Sequence, residues 1–186
     1  MDEGCFFSIF YDQGGMTMDW NQRSASRIRL AIVDDLPQIQ TVYAAARQYM
    51  RANGNLHQWK GGYPSDALLL QDIEKQQLYV EESDGNIHAA FVLAMGEDPT
   101  YAVIEEGSWL TNAPYGTIHR IASDGTVAGV FKRCVAFCQQ RIAHLRIDTH
   151  ADNTVMQRLL SDVGFRRCGI IYLMDGSPRY AYELLD

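Results

Sequence analysis

Leu145-Arg-Ile-Asp-Thr-His-Ala-Asp-Asn-Thr-Val-Met-Gln-Arg-Leu-Leu-Ser-Asp-Val-Gly-Phe165 is the stretch whose reading decides the fold. Leu145, Ile147 and Thr149 alternate with Arg146 and Asp148, the period of a β-strand. Ala151-Asp152-Asn153 carries turn and N-cap chemistry. Met156, Leu159, Leu160 and Val163 then recur at helical spacing, and Gly164 stands where a helix C-cap needs a positive φ. Phe165 opens a further run. Ile170-Ile171-Tyr172 and Tyr180-Ala181-Tyr182 read as strands, with a turn at Asp175-Gly176-Ser177-Pro178.

Upstream the same periods continue. Ile28, Leu30 and Ile32 alternate as a first strand. Asp34-Asp35-Leu36-Pro37 starts a helix that carries Ile39, Val42, Tyr43 and Ala46 and ends at Gly54. An aromatic loop runs from Leu56 to Pro64. Ser65 can cap a helix over Asp66 to Lys75. Leu78 to Glu81 and Ile87 to Met95 are strands around a hairpin turn at Asp84-Gly85-Asn86. Tyr101 to Trp109 reads as strand or loop, Thr117 to Ser123 as a strand, and Gly129 to Arg141 as a helix. The order β-α-α-β-β-β-α-β-α-β-β defines a mixed α/β domain.

Composition narrows the function. A chain of 186 residues suits one domain with a sizeable core. Hydrophobic residues make up 47% and charged residues 21%, a globular balance. The formal charge of −7, without a basic tract, argues against a nucleic-acid partner. No run approaches the roughly 18 apolar residues of a membrane span. The four cysteines (Cys5, Cys134, Cys138 and Cys168) form no C-x-x-C pair, so no metal site is expected. With no secretory signal they point to a reducing cytoplasm. Cys134 and Cys138, one helical turn apart, read as packing residues. Residues 1–27 read as a non-catalytic N-terminal extension, and residues 28–186 as the functional domain.

The block from Asn153 to Phe165 resembles the second half of a GCN5-related N-acetyltransferase. That family moves an acetyl group from acetyl-CoA to an amine. Its pattern there is an Asn, a small or apolar residue three on, a Leu-Tyr pair, then Gly-Phe. Asn153, Met156, Leu159-Leu160 and Gly164-Phe165 match its spacing. Leu160 takes the place of a Tyr that in many members protonates the leaving thiolate. The resemblance covers about Ile28 to Leu185 and implies an N-acetyltransferase domain, a twisted sheet split open by its cofactor with helices on both faces. Gln58-Trp59, Tyr63-Pro64, Trp109, Pro114-Tyr115, Ile118-His119-Arg120 and Arg146-Ile147-Asp148-Thr149-His150 are similar to a bacterial subgroup of small acetyltransferases, which names no substrate.

The resemblance places the cofactor on Ile121-Ala122-Ser123-Asp124-Gly125-Thr126-Val127-Ala128-Gly129-Val130-Phe131-Lys132. The family's turn reads Arg/Gln-x-x-Gly-x-Gly/Ala, so Thr126, Gly129 and Phe131 stand at its three defined positions and one glycine is kept. Backbone amides at a helix N-terminus suit the CoA pyrophosphate. Asn153 is expected on the pantetheine arm or as the N-cap of its own helix, with Met156 beside it.

Amide formation needs a base for the amine and a donor for the carbonyl oxygen. Many members place a Glu base on the cofactor strand, where this chain has His119-Arg120. His119 is the first candidate base and His150 the second. The amide of Ile121 or Ala122 is the candidate oxyanion donor. Trp59, Tyr63, Trp109 and Tyr115 are candidates to wall a pocket for a small-molecule or peptide amine. A homodimer is the family-level expectation. Loss of the Tyr at Leu160 supports a second reading, a non-catalytic acyl-CoA or metabolite sensor on the same fold.

Overall fold

The computed structural model describes residues 26–185. Most of the expected N-terminal extension therefore lies outside the described residues, and Arg27 already belongs to the first strand. The elements follow the order read from the sequence. They are β1 (Arg27–Leu30), α1 (Leu36–Ala52), α2 (Asp66–Glu74), β2 (Leu78–Ser83), β3 (Asn86–Met95), β4 (Gly116–Ser123), α3 (Val130–Gln139), β5 (Leu145–Thr149), α4 (Thr154–Asp162), β6 (Arg166–Tyr172) and β7 (Pro178–Leu184). The helix ends use the chemistry of their termini. Ser65 Oγ accepts the Leu68 amide at α2, and Asn153 Oδ1 accepts the Met156 amide at α4. Gly164, at φ 93°, closes α4 in the left-handed region.

The sheet runs β1-β2-β3-β4-β5-β7-β6. Every pair is antiparallel except β4–β5, which is parallel and joins only at Gly116↔Leu145 and Thr117↔Arg146. Beyond Thr117 and Arg146 the two strands part. The β3–β4 ladder slips in the same stretch, where Val92 faces His119 but Ala90 faces Ala122. Arg120 and Ile121 thus share one opposite residue, Phe91, and Arg120 sits at φ 52°. This is a β-bulge, a device that bends a strand and re-aims its side chains.

Three clusters bury the apolar faces. α3 and α4 put Phe131, Cys134, Cys138 and Leu160 against Phe91, Ile118, Leu145 and Ile147. α1 and α2 put Ile39, Val42, Tyr43 and Leu69 against Leu78, Val80, Ala90 and Val92. The segment read as strand or loop proves to be a 3-10 turn, Pro99–Tyr101, followed by one bridge from Glu105 to Ile170 of β6. It buries Tyr101 against Ile171 and Ala181. Among the described residues no helix is long and apolar enough to cross a membrane.

A buried ionic knot holds the closed end of the split. Glu183 of β7 is fully buried; its Oε1 accepts from His144 Nε2 and, at 3.0 Å, from Arg146 Nε. Its Oε2 accepts the Leu110 amide. His144 Nδ1 lies 3.1 Å from the Pro114 carbonyl. Both ring nitrogens face oxygen partners, so the ring is held from two sides. The Arg146 guanidinium also lies 3.9 Å from the ring centres of Trp109 and Tyr115. Removing one partner of a buried charge set strands the others. Glu183→Ala should therefore lower stability by about 3–5 kcal/mol in urea denaturation, against about 1 kcal/mol if the knot is superfluous.

Candidate active site

The gap between β4 and β5 opens into two cavities, of about 920 Å³ and 510 Å³. Met50, Trp59, Ile121, Asn153 and Met156 border both, so the two form a single trough along the split. The larger lies toward α2 and the turn after β3, the smaller toward α1 and the starts of α3 and α4.

The smaller cavity is bordered by Ile121, Ala122, Ser123, Val127, Gly129, Val130, Phe131, Lys132, Asn153 and Met156. Asp124 shapes the turn by accepting the Thr126 amide at 2.9 Å and the Thr126 hydroxyl at 2.7 Å. Thr126 also meets His88 Nδ1 at 2.9 Å and does not border the cavity. Ala128 does not border it either. Its carbonyl accepts from Arg133 Nη1 at 2.7 Å, while Arg133 Nε binds the buried Glu81 at 2.7 Å. Arg133 thus braces the turn from behind, leaving Lys132 as the exposed cation. Gly129 caps α3 at φ 77°, a conformation L side chains rarely adopt. Among the described residues no acceptor is found for the amides from Val127 to Lys132. These unpartnered N–H groups at a helix start form an anion cradle of the kind a pyrophosphate occupies. Phe131 leaves the cradle open, because its ring is buried in the core beside Cys134.

The larger cavity holds both candidate histidines. The bulge settles the face of His119: its cross-strand partner is Val92, on the α1/α2 side of the sheet. His119 Nε2 lies 3.0 Å from Asp98 Oδ2. Asp98 is fixed in turn, since Oδ1 accepts both the amide and the hydroxyl of Thr100, and its own amide donates to Tyr115 Oη. The hydrogen bond from His119 holds the Asp98 carboxyl far below the usual range, against its own desolvation. A carboxylate at Nε2 places the proton there and leaves Nδ1 as the basic atom. Among the described residues Nδ1 has no partner.

His150 is placed differently. Its Nδ1 accepts the Asp152 amide at 3.1 Å, so its lone pair is engaged and Nε2 carries the proton. Burial holds its affinity for a second proton down, helped by the fields of Arg179, His57 and Lys60 and opposed by Asp152. His150 clasps its loop rather than offering a base.

Asn153 is engaged at both ends. Beyond its cap, its Nδ2 donates to Gln58 Oε1 at 2.9 Å. Gln58 Oε1 also receives Asn55 Nδ2 at 2.9 Å and the Thr149 hydroxyl at 3.5 Å. The free donor at this point of the trough is therefore Gln58 Nε2. Trp59 borders both cavities, wedged between Tyr43 and Tyr63, and Tyr63 borders the larger. Trp109 and Tyr115, expected as pocket walls, border neither. Each stacks on Tyr101, and together they hold Arg146 and stand behind the wall. Leu160 is fully buried in the core. Tyr172, Tyr180 and Tyr182 border neither cavity. Asp98 and Tyr101 were not singled out from sequence, and Gln58 only as part of the Gln58-Trp59 block. Each acts through a partner far along the chain; the signal that could have found Asp98 is its place before Pro99 and Thr100, where it caps a turn. Among the described residues no group of His, Cys, Asp and Glu is placed to hold a metal ion.

No family model matches the chain, and no curated protein does. Solved structures do. An acetyltransferase of the GNAT family from Streptococcus agalactiae 2603 matches with a TM-score of 0.74 at 30% identity, over 88% of this chain and 97% of that one. A GNAT-family acetyltransferase from Listeria monocytogenes 4b F2365 shares the fold, with a TM-score of 0.63 at 18% identity over 86% of this chain and 95% of that one. So does an N-acetyltransferase from Staphylococcus aureus Mu50, with a TM-score of 0.54 at 18% identity over 87% and 98%. The fold and its split are those of an acetyltransferase. The chain belongs to the GCN5-related N-acetyltransferase (GNAT) family.

The Asp98 carboxyl has a depressed pKa in the folded state, so the unfolded chain takes up that proton first as pH falls. The His119–Asp98 pair thus stabilises the fold above the ordinary carboxylate range and is lost below about pH 4. Denaturation midpoints measured from pH 5 downward should fall less steeply for Asp98→Asn than for the parent; parallel curves would mean that the pair adds nothing.

Proposed function

We propose that this chain is an N-acetyltransferase that moves an acetyl group from acetyl-CoA to a primary amine on a small molecule or peptide, by direct attack. The observation that carries this reading is the His119–Asp98 pair, set in the split between β4 and β5 at the far end of the trough from the amide cradle. Acetyl-CoA supplies the acetyl thioester. The residues that fit it are the amides from Val127 to Lys132 for the phosphates and the unpaired edge of β4 for the amides of its arm.

The chain's own groups then divide the work. His119 Nδ1 takes a proton from the incoming amine, and Asp98 holds the ring in the required tautomer and balances the imidazolium that results. The new N–C bond forms as the C–S bond breaks. The bulge leaves Ile121 without its own partner on β3, so its amide is the candidate donor to the carbonyl oxygen. With Leu160 in the core, the proton for the leaving sulfur comes from the His119 imidazolium or from water in the cavity. Trp59 and Tyr63 flank the acceptor side. The same reading places the protein in the cytoplasm.

One observation favours the sensor reading: the last-strand tyrosines Tyr172, Tyr180 and Tyr182 border neither cavity, so none of them replaces the acid absent at Leu160. Turnover separates the two. A panel of primary amines, followed by release of free thiol, should show acetyl transfer. His119→Ala should then lower kcat by about 10²–10⁴-fold with little change in acetyl-CoA affinity. An undiminished rate would remove His119 from the mechanism. Tight acetyl-CoA binding with no turnover on any amine class would favour the sensor.

A further inference from the structure

The larger cavity contains a buried cation whose hydrogen bonds are incomplete. Arg179, at the start of β7, has a side chain only 6% exposed and borders the cavity. Its Nη1 donates to the carbonyl of its own neighbour, Pro178, at 2.9 Å. Its closest acid is Asp148, whose Oδ2 lies 3.8 Å from Nε, an ion-pair distance beyond hydrogen-bond reach. Among the described residues Nε and Nη2 therefore have no acceptor. Neither is among the buried polar atoms sealed from solvent without a partner, so this edge of the guanidinium opens into the cavity.

Each neighbouring acid has one oxygen engaged elsewhere, and Asp148 Oδ2 meets Arg179 only at the longer ion-pair distance. Asp148 Oδ1 accepts the Tyr101 hydroxyl at 2.8 Å, and Asp175 Oδ1 accepts the amide and hydroxyl of Ser177. Arg120, the other guanidinium bordering the cavity, is bound to Asp72 and Tyr63. Arg179, on β7, lies on the β5/β7 side of the split and His119 on the β4 side, and both border the same cavity. Tyr101 bridges the two, with its ring edge-on to His119 and its hydroxyl on Asp148.

A buried guanidinium with a free N–H fork presents two parallel donors at the spacing of a carboxylate. Asp148 beside it already carries one negative charge, so the fork suits a monoanion better than a dianion such as phosphate. We infer that Arg179 is a specificity-determining residue that seats the carboxylate of the acceptor. The acceptor is then a small amino carboxylate, with its amine toward His119 and its carboxylate on Nε and Nη2. This inference rests on the transferase reading for the role of the cavity, though its test does not depend on turnover.

The test is equilibrium binding to the full-length protein in the presence of CoA, read by calorimetry. The probes are free α-amino acids and longer ω-amino carboxylates, each paired with its carboxamide. At least one carboxylate should bind, with its carboxamide about 10- to 100-fold weaker. Arg179→Gln should remove that difference, and Arg179→Lys, which keeps charge and stem, should retain part of it. The inference is overturned if no carboxylate binds, if carboxamides bind as well as carboxylates, or if Arg179→Gln weakens both members of a pair equally. A carboxylate that binds through Arg179 but is never acetylated would support this site and contradict the transferase reading alone.

Discussion

The interaction on which the rest depends is one that stops. β4 and β5 pair at two positions and then separate, although both strands continue. An unpaired strand edge in the middle of a sheet leaves backbone donors and acceptors that water or a ligand must satisfy. The gap persists because each strand is held on its other side, β4 by β3 and β5 by β7. The buried knot of His144, Glu183 and Arg146 ties the paired end shut. The outcome is a rigid fork with a polar inner edge, a shape that accepts an extended amide-bearing chain as though it were another strand.

The electrostatics follow from this geometry. The protein carries a formal charge of −7, yet the cofactor proposed for it is polyanionic. The cradle at α3 relies on backbone amides rather than a cluster of cations. Arg133, in the first turn of α3, neutralises the buried Glu81 and holds the turn through Ala128. On the acceptor side the Arg120 guanidinium is bound as well, to Asp72. Against that pattern the open fork of Arg179 and the uncommitted Nδ1 of His119 stand out as groups positioned for something other than the fold.

Local chemistry made most of the architecture legible. The alternation of Leu145, Ile147 and Thr149, the cap at Asn153 and the left-handed Gly164 are each decided within a few residues. The segment from Tyr101 to Trp109 was not legible, because it is shaped by stacking on Tyr115, Arg146 and β6 rather than by a period of its own. The site divides in the same way. Gly129, Ile121 and His119, read from position along the chain, all border the trough. The facing of His119 depends on a bulge at Arg120 that no pattern announces. Trp109 and Tyr115 were read as pocket walls from their aromatic character, but a guanidinium between two rings is also how a sheet stabilises a buried arginine. Gln58 and Arg179 gain their meaning from partners more than 30 residues away along the chain, at Asn153 and Asp148.

The central claim is that the fork between β4 and β5, with the amide cradle at α3, is a CoA site despite Thr126 and Phe131. Isothermal titration of the purified full-length chain with acetyl-CoA and with CoA tests it most directly. The account predicts one site per chain with micromolar affinity for both ligands. An absence of binding up to millimolar concentration would contradict it.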